Sequence, residues 1–74
     1  MELSIVDRLI VCLFDRVRNV PMAMRDAGYT QDHVSAAWRE AQAAGLTEST
    51  GLGMDRLTEA GKLRGRELVQ RFVR

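Results

Sequence analysis

Cysteine and histidine each occur once among the 74 residues of the chain, as Cys12 and His33. One cysteine cannot close an internal disulfide, and one cysteine with one histidine cannot supply the four ligands of a structural zinc site. The sequence therefore excludes a disulfide scaffold and a zinc finger. We expect a protein of a reducing compartment that uses no metal and no other cofactor.

Proline and aromatic residues are also scarce. Pro21 is the sole proline, aromatic residues make up 5% of the chain, and alanine, leucine, arginine and glutamate are common. This composition favours helices over the many short strands of a β-sandwich. Because autonomous domains rarely contain fewer than about 50 residues, we expect residues 1–74 to form a single, mainly helical domain.

Neither sign of charge dominates, and no long apolar run is present. Eleven basic and ten acidic residues give a net charge of +1, which argues against a charged disordered tail and does not by itself indicate a nucleic-acid-binding protein. The longest apolar run, residues 9–14, is far shorter than the ~20 residues that span a bilayer. Glu2 and Asp7 stand where a signal peptide would be basic. We expect a soluble, cytoplasmic protein with no membrane partner.

The first apolar stripe predicts a helix that begins after Ser4, because Ser4 and Asp7 resemble a capping box. A second short helix is predicted from about Pro21 to Ala27, since proline suits a first helical position, and Gly28 ends it. The apolar stripe of the first helix follows a 3.6-residue period and consists of Val6, Leu9, Ile10, Leu13 and Val17.

Thr30 is a suitable N-cap for a third helix that reaches about Ala44, with Gly45 as its left-handed stop. The second and third helices, joined by residues 27–30, form a helix-turn-helix, whose turn commonly contains glycine. The predicted buried stripe of the third helix consists of Val34, Ala37, Trp38 and Ala41.

A small β-hairpin is predicted next, from short extended segments at about 46–49 and 54–57 around a loop that contains glycine. Thr58 then begins a final helix. Gly61 and Gly65 lie one turn apart, so we expect them to allow a close approach to the first helix; the alternative is a weak, frayed start of the last helix. The face on which they lie also carries Leu57, Leu68 and Phe72.

The order of these elements and three short motifs resemble a winged helix-turn-helix domain, in particular that of transcription regulators of the multiple-antibiotic-resistance-regulator type. The motifs are AMRDAGYTQDHVS at 23–35, AGLTE at 44–48 and RLTEAGK at 56–62. They fall in the helix-turn-helix, at the exit into the wing and at the return into the last helix. The resemblance covers nearly the whole chain and implies a three-helix core, a wing and a C-terminal helix.

For function, the resemblance implies a transcription regulator whose third helix enters the major groove of double-stranded DNA, while the wing contacts the backbone or the minor groove. With Val34 in the core, helical geometry turns the polar side chains of the third helix outward. Glutamine can pair with adenine and arginine with guanine, and a cation at the base of the wing suits a phosphate. The expected DNA-binding residues are Thr30, Gln31, His33, Ser35, Arg39 and Arg56.

The distribution of charge also fits a second function. Residues 31–46 hold Arg39 against Asp32 and Glu40, residues 1–55 hold five arginines against eight carboxylates, and residues 56–74 hold six basic against two acidic residues. Phosphate binding depends on several cations, and the third helix is net negative. The alternative is a winged helix used as a protein-interaction module, for example a phage or mobile-element protein that acts on the transcription machinery.

The last helix carries apolar residues away from its buried face. Leu63 and Val73 lie off the stripe, and Val69 lies on its margin. They are either scattered surface residues or a surface for a homodimer or another partner. In the resembled family a terminal helix helps to join two subunits, so we expect a dimer.

No enzyme is predicted. Asp32, His33 and Ser35 project from one helix at 100° per residue and cannot align as acid, base and nucleophile. Cys12 flanks the buried face of the first helix and is predicted to be an inert small hydrophobe. Trp38 is predicted to pack in or beside the core rather than to anchor an interface.

Overall fold

Four α-helices and a two-stranded antiparallel sheet follow one another along the residues that the computed structural model describes, which are 3–17, 19–49 and 55–73. A π-helical turn, Val69–Val73, continues the last helix. The predicted class, mainly helical with a small hairpin, is confirmed. The bounds of the elements are α1 Ile5–Phe14, α2 Val20–Asp26, α3 Gln31–Ala43, β1 Thr47–Ser49, β2 Asp55–Leu57 and α4 Glu59–Leu68.

A polar side chain caps the start of each α-helix in these described ranges. In every case a side-chain oxygen lies 3.1–3.2 Å from the amide nitrogen three residues further on. Such a cap satisfies an amide that the helix itself leaves free, and is typically worth about 1 kcal/mol. The capping residues are Ser4, Asn19, Thr30 and Thr58. The three predicted caps are confirmed, and Asn19 begins α2 just before the expected proline.

The end of α1 differs from the prediction. Arg16 adopts a left-handed conformation with φ of 59°, its amide donates to the Leu13 carbonyl at 3.2 Å, and the Val17 amide donates to the Cys12 carbonyl at 3.0 Å. These two bonds form the helix-ending Schellman pattern, which usually has glycine at the left-handed position. The prediction that Val17 lies on the buried stripe is wrong: the helix stops at Phe14, and Val17 is 38% exposed.

The core lies around α1, which packs against both α3 and α4. Its buried members come from every α-helix of the described chain, as expected for one shared core. They are Leu9, Ile10, Val20, Met24, Val34, Ala37, Ala41 and Leu68. Trp38 and Leu57 pack on the edge of this cluster. Trp38 is half-buried, as the sequence predicts.

The hairpin joins the core through its strand ends. Its register pairs Thr47 with Leu57, Glu48 with Arg56 and Ser49 with Asp55. The Thr58 amide donates to the Leu46 carbonyl at 3.0 Å, which extends the pairing beyond the strands. The predicted strand segments are confirmed within the described residues; their turn, including Met54, lies outside them.

The two glycines of α4 allow close approaches, but to different neighbours. A Cβ on Gly65 would lie 2.6–2.9 Å from three side-chain atoms of Phe14, on α1. A Cβ on Gly61 would collide with the backbone carbonyl of Leu46. The expectation of an approach to α1 is therefore confirmed for Gly65 and wrong for Gly61, whose partner is the segment that leads into the hairpin.

None of the helices within the described ranges combines the length and the apolar character needed to cross a membrane. The longest α-helix among them, α3, has 13 residues, whereas a span needs ~20.

Candidate nucleic-acid interface

The third helix is held with one face in the core and the other in solvent. The turn before it places Gly28 at φ 104°, a conformation that glycine adopts without steric cost. Val34, Ala37 and Ala41 are each at most 2% exposed, so the opposite side of α3 is available to a partner. This orientation is the one that the sequence periodicity predicts.

The predicted reading residues lie away from this buried stripe. Gln31, His33 and Arg39 are exposed, and Ser35 is half-buried. The Gln31 side-chain amide donates to the Ser35 hydroxyl at 3.4 Å, which brings these two groups together on one edge of the helix. Arg39 lies one turn beyond Ser35 and forms no salt bridge with any described residue.

Thr30 is exposed, but its hydroxyl already has a structural role. The oxygen accepts the His33 amide at 3.2 Å as the N-cap of α3. A contact between this hydroxyl and a nucleic acid would therefore have to coexist with the cap. Of the six predicted DNA-binding residues, Thr30 is the one that caps a helix.

A carboxylate that sequence reasoning missed joins α3 to the hairpin. Asp55, at the start of β2, accepts hydrogen bonds from the Trp38 indole nitrogen and from the Gln42 side-chain amide, the latter at 3.0 Å. Trp38 and Gln42 are four residues apart and so share one edge of the helix. That spacing was visible in the sequence, but their common acceptor, 13 residues beyond Gln42, was not.

The predicted wing cation is already paired. Arg56 lies directly across the hairpin from Glu48, and its Nε is 2.6 Å from the Glu48 carboxylate. The Arg56 side chain remains 70% exposed, so the pair is a solvated one of small net energy. Arg56 can therefore reach a phosphate, in competition with Glu48.

Basic side chains are concentrated on α4 and the turn that follows it. Arg64 makes a two-point contact with Asp7 of α1, at 3.2 and 3.0 Å, and this hydrogen bonding raises the pKa of Arg64. Lys62 lies 3.6 Å from Glu59. Arg66 and Arg71 are exposed and form no salt bridge within the described residues. These two arginines are accordingly available to an anionic partner.

The predicted partner surface on the last helix is only partly described. Leu63 is 63% exposed, the highest value among the exposed large apolar residues of the described chain. Val69 is half-buried, and the side chain of Val73 lies outside the described part of the chain. Leu63 is therefore the clearest candidate for an apolar contact with a partner.

A shallow depression of about 330 Å³ lies beside the exposed face of α3. Its lining includes Ile5, Tyr29, Ala36 and Ala37, with His33 and Glu40 as its ionisable groups. This mixture of small apolar and polar side chains offers a second surface on which a partner could rest. It is open and offers no enclosed site for a small molecule.

Among the described residues, no three or more histidine, cysteine or carboxylate side chains are placed to hold a metal ion. Cys12 is half-buried on α1, and burial raises the pKa of its thiol, against a smaller lowering by Arg8. A raised pKa keeps the thiol protonated and unreactive near neutral pH.

No family model, no curated protein and no solved structure matches the chain.

Proposed function

We propose that the chain is a small winged-helix DNA-binding protein that regulates transcription. The observation that carries the proposal is the orientation of α3. Its Val34, Ala37 and Ala41 side is buried, and Arg39 and Gln31 project into solvent. The winged-helix arrangement is itself part of the proposal, supported by the helix-turn-helix, the hairpin and the returning helix in that order.

The hairpin supports the proposal as a second contact. Its cation, Arg56, is exposed and near the start of α4, a position suited to a phosphate while α3 reads base edges. The exposed Arg66 and Arg71 supply further positive charge that the net negative third helix lacks. A dimer would double these cations.

The test is selection of bound duplexes from a random DNA library, followed by a salt titration of the affinity. Arg39→Ala is expected to weaken binding to the selected sequence by ~1–3 kcal/mol and to relax the preference at one position. Arg56→Ala is expected to weaken all sequences alike and to lower the salt slope by about one. Arg66→Ala, which removes the same charge from α4, is the control, because it should leave base preference unchanged.

The contrary results are specific. Failure to enrich any sequence at low salt would sink the DNA-binding proposal. Equal effects of Arg39→Ala on selected and unselected duplexes would remove Arg39 from base reading while leaving non-specific binding intact.

Two observations favour a second candidate, a winged helix that docks on the transcription machinery. Leu63 is 63% exposed on α4, and the depression beside α3 is lined by Ala36, Ala37 and Tyr29. Apolar surface of this kind suits a protein rather than DNA. Titration of the chain into purified RNA polymerase tests it: Leu63→Glu should weaken binding, and an unchanged affinity would exclude Leu63 from the contact.

A further inference from the structure

The hairpin is attached at the start of β2 to α3 and just after the end of β2 to the segment that follows α3. At its start, Asp55 accepts from Trp38 and Gln42. Just after its end, the Thr58 amide donates to the Leu46 carbonyl at 3.0 Å, and the Thr58 hydroxyl donates to the Gly45 carbonyl at 2.5 Å. β2 is thus tied at its start to α3 and just after its end to the residues that follow α3, and these two attachments restrict its position relative to the helix.

The attachment at Asp55 differs from the one at Thr58. Thr58 is bonded to backbone carbonyls of the chain leading into β1, and it also caps α4, so it contributes to the stability of the fold. Asp55 instead receives two side-chain donors that could bond to water, because Trp38 is half-buried and Gln42 is exposed. A carboxylate acceptor strengthens such bonds relative to a neutral one. The Asp55 contacts thus orient the hairpin relative to α3 rather than shield the core from solvent.

The residue next to Asp55 connects this attachment to the DNA proposal. Successive side chains of a strand point to opposite faces, so when Asp55 turns toward α3, Arg56 turns away from it, toward Glu48. Fixing Asp55 therefore fixes where Arg56 stands relative to Arg39. The contact of Asp55 with α3 thus sets the distance between Arg39, proposed for the base edge, and Arg56, proposed for the phosphate.

We propose that Asp55 is a positioning residue that sets the spacing between the reading helix and the wing cation, so that Arg39 and Arg56 engage one duplex together. This inference rests on the proposed function. It assigns Asp55 no contact with DNA: the carboxylate acts through Trp38 and Gln42 on one side and through the strand on the other.

The experiment compares Asp55→Ala with Asp55→Asn on a duplex selected by the wild-type protein. Both variants remove one negative charge, so both relieve the same repulsion of DNA, but only asparagine keeps an oxygen acceptor for Trp38 and Gln42. We expect Asp55→Ala to lower the salt slope by about one and to make a further Arg56→Ala change without effect. We expect Asp55→Asn to retain the wild-type slope and the wild-type response to Arg56→Ala.

Trp38, the chain's single tryptophan, reports on the attachment without DNA. Its indole N–H proton resonance should shift in Asp55→Ala and stay near the wild-type position in Asp55→Asn. Gln42→Ala removes one donor at an exposed site, and serves as the second variant where Asp55→Ala does not fold. In the Gln42→Ala background, the effect of Arg56→Ala on the salt slope should be smaller than in wild type but not zero.

Three results are decisive. If Arg56→Ala has the same effect in the Asp55→Ala background as in wild type, the positioning role is overturned while DNA binding stands. If the indole resonance does not respond to Asp55→Ala, the attachment itself is absent and the inference fails. If the wild-type protein selects no duplex, the proposed function fails and the inference fails with it.

Discussion

Two positions in α4 leave no room for a side chain. Gly65 approaches the ring of Phe14 and Gly61 approaches the carbonyl of Leu46, although glycine in a helix interior costs about 1 kcal/mol relative to alanine. The packing of α4 against α1 and against the hairpin therefore depends on residues that lower the helix propensity of α4 itself.

Alanine at these positions should destabilise the fold in spite of its better propensity. For Gly65→Ala we expect a net loss of roughly 1 kcal/mol, since overpacking typically costs 1–3 kcal/mol. Gly61→Ala should lose more, because a backbone carbonyl cannot turn aside as a side chain can. Urea unfolding measures both, with Ala60→Gly as the control for propensity at an exposed neighbour. A Gly65→Ala protein more stable than wild type would contradict the close contact.

On the proposed function, Asp32 would oppose DNA binding while it supports its own helix. It is exposed in the first turn of α3, where a negative charge favours the positive end of the helix by about 0.3–1 kcal/mol. Asp32→Asn should therefore lower stability slightly and raise affinity for every duplex, as measured by thermal unfolding and by DNA titration. Asp15→Asn, at the far end of α1, is the matched control. Weaker DNA binding by Asp32→Asn would instead make this carboxylate an acceptor for a base amino group.

At the scale of elements, Thr58 joins three parts of the fold. Its oxygen caps α4 through the Gly61 amide at 3.1 Å and its proton bonds to the Gly45 carbonyl at 2.5 Å, beyond the end of α3. One hydroxyl thus marks the end of the hairpin and the start of α4, and it joins both to the turn that follows α3.

Removing this hydroxyl should cost more than removing a simple cap. Thr30, with its oxygen on the His33 amide, serves as the comparison, and Thr30→Ala should cost about 1 kcal/mol of unfolding free energy. We expect Thr58→Ala to cost about 2 kcal/mol or somewhat more, since a second hydrogen bond is lost, and Thr58→Ser to restore most of it. Chemical denaturation measures all three. Equal losses at the two threonines would show that the Gly45 bond contributes nothing.

The sequence predicts the starts of elements better than their ends and their mutual contacts. Caps are local, so Ser4, Thr30 and Thr58 could be identified from one turn of sequence. The end of α1 could not, because Arg16 occupies the left-handed position where glycine would have signalled it. Gly61 contacts Leu46, and Asp55 contacts Trp38. Both contacts join residues that are distant in the sequence, and the periodicity of apolar residues does not predict such pairs.

For the candidate site, the outward direction of α3 followed from its apolar stripe, and the exposure of Arg39 and Gln31 agrees with it. The pairing of Arg56 with Glu48 could not be foreseen without the register of the strands. The register depends on how many residues form the turn between the strands, which the sequence does not specify. The cross-strand neighbour of Arg56 therefore cannot be predicted from the sequence alone.

At the scale of the whole molecule, the exposed Leu63 leads us to expect self-association through α4. Sedimentation velocity at micromolar concentrations should detect a dimer that Leu63→Glu dissociates. Met22→Glu places the same charge on another exposed apolar residue, in α2, and should leave the dimer intact. A monomer at every concentration, unaltered by Leu63→Glu, would remove this expectation.

Charge is unevenly placed along the chain of this small body, whose radius of gyration is 11.4 Å. Residues 56–74 carry an excess of four positive charges and residues 1–55 an excess of three negative ones. Arg56 and Arg64 are paired with carboxylates of the earlier segment, whereas Arg66 and Arg71 are exposed and have no ion-pair partner among the described residues. These two arginines would attract a polyanion within the ~10 Å reach that 0.1 M salt permits. On the proposed function, they would draw DNA toward α4 before α3 engages the groove.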